Sequence, residues 1–189
     1  MHVHWDEKTL SREEELLEKI EEWRAKANSE SDPFNKYTSV FIAYNIFYNL
    51  YAKRKSGNLQ ADFAGGDSKR ATATISLIEA DQLFPLIEFD LREYVSIIPV
   101  FREEYWPTRN SPKKVAIAKT LEESLHAKNA KKTIDMLIKW LYKVRCNLVH
   151  GVKSYRDTNQ RRLLEISSLL LDKILQHLII RYHQTKASD

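Results

Sequence analysis

One cysteine, Cys146, stands in 189 residues. That excludes an internal disulfide framework and any zinc site built from cysteine pairs, and it fits a reducing compartment. Glycine is nearly as scarce, at four residues, and proline numbers five. So few turn-formers argue against a sandwich or barrel and for long helices. Neither an alternating strand pattern nor an internal repeat is present. Long apolar runs are missing too: the most apolar late stretch, Leu169 to Ile180, is interrupted by Asp172, Lys173, Gln176 and His177, so it does not read as a membrane span. The first residues, Met1 to Glu7, are too polar for a signal peptide. These absences predict a cytoplasmic domain with no membrane segment.

What is present is enough for a real core. The hydrophobic share is 43%, typical of a globular chain, and the length suits one domain over 1–189, with 1–10 as a frayed start. The net charge of +4 is unevenly placed. Positions 1–30 hold 5 basic and 9 acidic residues, a net −4, whereas positions 101–162 hold 15 basic and 6 acidic, a net +9. The basic half suits a polyanion such as RNA; solvated helix faces are the plainer reading.

In chain order, a first helix is expected over 11–27, with Ser11 and Glu14 as a capping box and Leu16, Leu17, Ile20 and Trp23 as its buried stripe. His2 and His4 form no metal site without a carboxylate cluster. Asp32-Pro33 caps and opens a second helix that runs to about Ser56 and stops at Gly57. It is apolar nearly all round, with Phe34, Tyr37, Phe41, Tyr44, Tyr48 and Tyr51 along it, and so reads as central. Its aromatics are better taken as core than as a base-stacking platform, and Asn45 among them as the maker of a buried hydrogen bond. Positions 57–70 read as a loop. Its Gly65-Gly66-Asp67-Ser68-Lys69 lacks the spacing and preceding strand of a phosphate loop. Further helices are expected from Ala71 to Phe84, yielding at Pro85; from Ile87 to Tyr105, kinked near Pro99; from Ser111-Pro112 to Lys128, with His126 set against the helix dipole; from Ala130 to His150; and, after a polar link capped by Asp157, from Gln160 to His183. The expected fold is all-α, an up-and-down bundle of six to seven helices.

The stretch Trp140 to Gly151 organises the rest. Ile134, Leu137, Ile138, Leu141, Val144 and Leu148 recur at helical spacing, and Gly151 is placed to end the helix. Just before that end stand Arg145, Asn147 and His150, and no other Arg lies five to seven positions before a His. Arg-x4-His at the end of a late helix, inside Tyr142-x-x-Arg145-Cys146-Asn147-Leu148-x-His150-Gly151, resembles the signature of the HEPN superfamily, all-α domains of which many are metal-independent RNases. The aromatic early helix resembles theirs as well. The family often carries its polar residue directly after the Arg; here Cys146 is there and Asn147 follows.

The residue types fit the chemistry. Transesterification of RNA needs a proton removed from the 2′-OH, one given to the leaving 5′-oxygen, and charge beside the phosphorane. Imidazole titrates near neutral pH, and a guanidinium binds phosphate bidentately. The resemblance thus implies Arg145 at the phosphorane, His150 in proton transfer and Asn147 assisting, with Lys143 and Lys153 as substrate-binding cations and no metal or cofactor. At about 100° per residue, Asn147 and His150 lie about 60° apart on a helix, near Lys143, but Arg145 lies about 140° from His150. Either the helix loosens before Gly151 or the two residues act across a dimer interface. The resemblance favours a symmetric homodimer with a composite site, and, since such domains resemble toxins of toxin–antitoxin and phage-defence systems, an inhibitory protein partner.

Rival readings use the same residues. Arg145 can pair with Glu165 or Asp157 and His150 can cap the last turn, leaving a non-catalytic RNA- or nucleotide-binding module, or a helical interaction protein that docks through its last helix.

Overall fold

A computed structural model of the chain describes residues 7–56, 66–97, 112–149 and 157–188, and every regular element in them is helical. Seven α-helices follow one another: α1 (Glu7–Ser29), α2 (Pro33–Lys55), α3 (Asp67–Ala73), α4 (Ala80–Ile97), α5 (Pro112–His126), α6 (Ala130–Val149) and α7 (Thr158–Ser188), with a 3₁₀ turn, Thr74–Leu77, between α3 and α4. The expected all-α bundle is what forms, and no strand occurs among the described residues.

The second helix is central because apolar residues run nearly all round it; near its start only Asn35 and Thr38 are exposed. Asp32 starts it by accepting hydrogen bonds from the backbone N–H groups of Phe34 and Asn35, each at 3.0 Å, and Pro33 takes the first position, where a missing N–H costs nothing. Beyond that cap Tyr37, Tyr44, Phe47 and Tyr48 are all buried. A buried phenol needs a partner for its O–H: Tyr37 donates to the Leu141 carbonyl at 2.6 Å and Tyr44 to the Ala71 carbonyl at 2.7 Å. The aromatics are therefore core rather than an open stacking surface.

Pairs of side chains give the helix directions. Near the starts of α2 and α7, Arg161 meets Asp32 at 3.3 Å, and towards their ends the Phe47 and Tyr182 rings pack edge-to-face 5.8 Å apart, so the two helices run the same way. On its other sides α7 faces antiparallel neighbours: α1 through Arg24 and Asp172 at 2.7 Å, and α4 through Tyr94 and Ser167 at 2.9 Å. The buried apolar side chains of the described helices form one cluster.

Several boundaries differ from the sequence expectation; the last helix, for one, runs on to Ser188 past the expected end at His183. The first helix begins at Glu7, so Ser11 lies inside it and the Ser11/Glu14 pair does not cap its start; the residues ahead of Ser11 are themselves compatible with helix. Positions 67–70, expected in a loop, form the first turn of α3. The break expected at Pro85 falls instead at Ile78 and Glu79, and Pro85 is inside α4. Proline removes one hydrogen bond, to the carbonyl of Asp81 four residues back. Both residues are exposed, which leaves that carbonyl open to solvent, and the helix continues. His2, His4, the Gly57 stop, the 57–65 part of the loop, Pro99, Ser111 and Gly151 lie outside the described residues.

The join of α5 to α6 uses a strained residue. Lys128 has φ of 51°, the left-handed region in which a side chain is disfavoured. Its N–H reaches the Leu125 carbonyl at 3.0 Å and the Asn129 N–H reaches the Ser124 carbonyl at 2.9 Å, the pairing that closes a helix through a left-handed residue. Asn129 then caps α6 by accepting from the Lys132 N–H. Lys128→Gly is expected to stabilise the protein by about 1 kcal/mol, read as a higher midpoint in urea unfolding; an unchanged or lower midpoint would show that the left-handed turn carries no strain.

On α7, His177 is buried and its Nε2 has no hydrogen-bond partner among the described residues. Burial, with the Arg181 cation beside it, pushes its pKa below the ordinary imidazole value, against a smaller opposing pull from Glu79. The unfolded chain takes up this proton near pH 6.5, the folded chain only at lower pH. Between those values the unfolded state binds more protons, so the stability due to neutral His177 is complete above about pH 6.5 and drains as the pH falls through the lowered value. The melting temperature of His177→Gln should therefore fall less between pH 7 and pH 5 than that of the parent protein.

Candidate functional site

The C-terminal half of α6 carries the motif, and its helical phase decides what faces where. Leu141 and Val144 are buried. Arg145 lies in nearly the same sector: at about 100° per residue it is about 40° round from Leu141, while Lys143 and Asn147 are each about 160° away from it. A cation thus sits on the inward side of the helix. Its guanidinium lies over the Phe41 ring of α2, 5.6 Å from the centroid, within range of a cation–π interaction. Among the described residues no carboxylate forms an ion pair with it: Glu165 pairs with Arg162, and Asp157 accepts from the Asn159 and Gln160 N–H groups as the cap of α7.

Around Arg145 is a polar cluster built from three helices. Asp67, the first residue of α3, accepts from the Tyr48 hydroxyl of α2 at 2.8 Å, from Arg70 at 3.2 Å and, at the long distance of 3.5 Å, from the Tyr142 hydroxyl of α6. Tyr48 also accepts from the Asn45 amide, and Asn49 donates to the Asn45 side-chain oxygen at 2.9 Å. Asn45 is thus the hydrogen-bonding residue that its place in an apolar surface implied. Tyr142 packs its ring on Phe41, with centroids 6.1 Å apart.

The electrostatics keep the phenols protonated. Burial, then the neighbouring Asp67 carboxylate, holds the Tyr48 hydroxyl far above the ordinary phenol range, and the same two causes raise Tyr142. Arg145 pulls both down, and Tyr37 with them, but burial prevails in each case. Chemically the cluster offers a fixed positive charge and O–H donors. Its one carboxylate, Asp67, is engaged by three donors. Removing Asp67 would strand two phenol hydroxyls and Arg70, so Asp67→Ala is expected to cost about 1–3 kcal/mol in chemical denaturation.

Of the residues singled out in the sequence, Arg145 is placed against α2, while Lys143 and Asn147 are half-buried on another side of α6. One chain does not bring the three together. His150 and Lys153 lie outside the described residues. The helix stays regular through Val149, so it does not loosen between Arg145 and that point. Sequence reasoning missed Tyr48, Asp67 and Arg70. Asn45-x-x-Tyr48 and Asp67-x-x-Arg70 each have the spacing of one helical turn, but nothing local says that α3 folds back onto α2 and α6. Among the described residues no group of three or more His, Cys, Asp and Glu side chains could hold a metal ion, and no helix is long and apolar enough to cross a membrane. Compared with protein-family models, curated proteins and solved structures, the chain matches none.

Proposed function

We propose that this protein is a HEPN-type, metal-independent endoribonuclease that works as a homodimer. The observation that carries the reading is Arg145, a partly buried guanidinium on the inward face of α6 without a carboxylate ion pair among the described residues. A charge withdrawn from water needs a counter-charge, and a phosphodiester supplies one in the geometry a guanidinium prefers. The net +9 over positions 101–162 draws a polyanion to this half of the chain.

In this reading the RNA 2′-oxygen attacks the adjacent phosphorus and the P–O5′ bond breaks. The products are a 2′,3′-cyclic phosphate and a 5′-hydroxyl. One proton leaves the 2′-OH and one goes to the departing 5′-oxygen; His150 serves in these transfers, one copy from each chain of the shared cleft. Arg145 holds the non-bridging oxygens as charge builds on them. Asn147 assists, and Lys143 and Lys153 hold the flanking backbone. Because α6 is regular through Val149, helical phase separates Arg145 from Asn147, and a cleft shared by two α6 helices about a two-fold axis is the simplest way to bring both kinds of residue to one phosphate.

The same separation favours one alternative, a module that binds RNA without cutting it. Structured and single-stranded RNA incubated with the purified protein in EDTA decides between them. Cleavage leaving cyclic phosphate ends, lost in His150→Ala with the helical circular dichroism unchanged, supports the nuclease. Binding without cleavage by the intact protein selects the module. Neither binding nor cleavage rejects both.

A further inference from the structure

Away from Arg145, α1 and α7 lie antiparallel and leave a shallow trough of about 630 Å³ between them. Its floor is apolar: Leu17 and Ala25 from α1 and Ile179 from α7. Its rim on α1 is acidic, made by Glu18, Glu21 and Glu22, and His183 of α7 completes the lining. From Leu17 to Ala25 the floor runs about 12 Å, a little over two helical turns.

The rim charges are not all accounted for by the fold. Arg24 holds Glu21 at 3.1 Å while also reaching Asp172. Glu14, Glu18 and Glu22 are exposed, one turn apart, and make no ion pair among the described residues. Like charges at that spacing repel, each pair costing a few tenths of a kcal/mol, roughly 0.2–0.5. A cationic partner removes that cost and an apolar one covers the floor. RNA is excluded by the sign of the rim. A second copy using the same face about a two-fold axis would bring two acidic α1 rims into one interface.

We propose that the α1–α7 trough is a docking site for a basic amphipathic helix of a partner protein. Its apolar residues at i, i+3, i+4 and i+7 seat on Leu17, Ala25 and Ile179, and its flanking Lys or Arg side chains meet Glu18 and Glu22.

The test uses the full chain and a fluorescein-labelled peptide of about five turns made of Leu and Lys, with Leu confined to one helical face. A second peptide has the same composition in scrambled order. Fluorescence anisotropy is read at about 0.15 M salt, where loose surface charge attraction is screened. The patterned peptide should bind at least tenfold more tightly than the scrambled one. The double variant Glu18→Lys/Glu22→Lys, and separately Ala25→Trp, which fills the floor, should each weaken binding at least tenfold with helical circular dichroism unchanged. Three results overturn the proposal: no binding of the patterned peptide, equal binding of the scrambled one, or undiminished binding to the charge-reversed variant. A fourth is sedimentation showing that Ala25→Trp dissociates the protein itself, which would make the occupant a second copy.

Discussion

Arg145→Ala is expected to lower the rate of RNA cleavage by roughly 10³- to 10⁵-fold, the range seen where a guanidinium neutralises charge on a transferring phosphoryl group. The same substitution should change stability by no more than about 1 kcal/mol, the worth of a cation–π contact. Even that loss is offset, because a partly buried cation without an ion pair among the described residues is removed with it. The two readouts pull apart for a physical reason. In the folded protein Arg145 rests on the Phe41 ring, 5.6 Å away, which positions it but supplies no anion. In the proposed nuclease its strongest partner is therefore the scissile phosphate. Arg145→Lys keeps the charge and loses the planar fork, so it should fall between the parent protein and the alanine variant. Single-turnover cleavage of a labelled RNA, beside a urea unfolding curve for each variant, measures both quantities. If Arg145→Ala unfolds the protein, or cuts RNA at a rate within about threefold of the parent, the guanidinium is structural and the nuclease reading falls.

The second large effect is on stability alone. Phe47→Ala is expected to cost about 3–5 kcal/mol, the combined loss of transfer free energy and the cavity left behind. Phe47 is fully buried on the central helix, and its ring packs edge-to-face on Tyr182 of α7 at 5.8 Å. Tyr182 in turn lies under the Arg54 guanidinium, 4.8 Å from its centroid. One truncation thus loosens the pairing of two helices far apart in the chain. Phe47→Leu keeps most of the volume and should cost about 1.5 kcal/mol or less. The denaturation midpoint should fall in the order parent, leucine, alanine with little change in slope. A loss under about 1 kcal/mol for alanine would mean that the α2–α7 seam is not the middle of the core.

Much of the architecture was legible because helices are written locally. Asp32-Pro33, Asp157 and the apolar stripe of α6 each report a helix boundary or face through neighbours within a few residues, and the structure places them so. Pro85 misled for the same reason. A proline inside a helix loses one hydrogen bond and crowds the carbonyl four residues back, and whether the helix tolerates it depends on what packs over that carbonyl. The site was half legible. Arg145 stood out by its Arg-x4-His spacing before the helix end, and Asn45 as a polar residue within an apolar surface. That Arg145 would lie over Phe41, near two phenols that share the Asp67 carboxylate, was not.

The amino-acid sequence alone determined the all-α class, the central place of the aromatic helix and the segment that carries the candidate chemistry, because periodicity, caps and composition act over one or two turns. Only the tertiary structure decided that α2 and α7 run parallel, that Asp67 joins three helices around Arg145, and that Arg145 and Asn147 of one chain face different ways. Those arrangements depend on which buried surfaces meet, and residues 67 and 142 or 47 and 182 exchange no energy until the chain between them has folded.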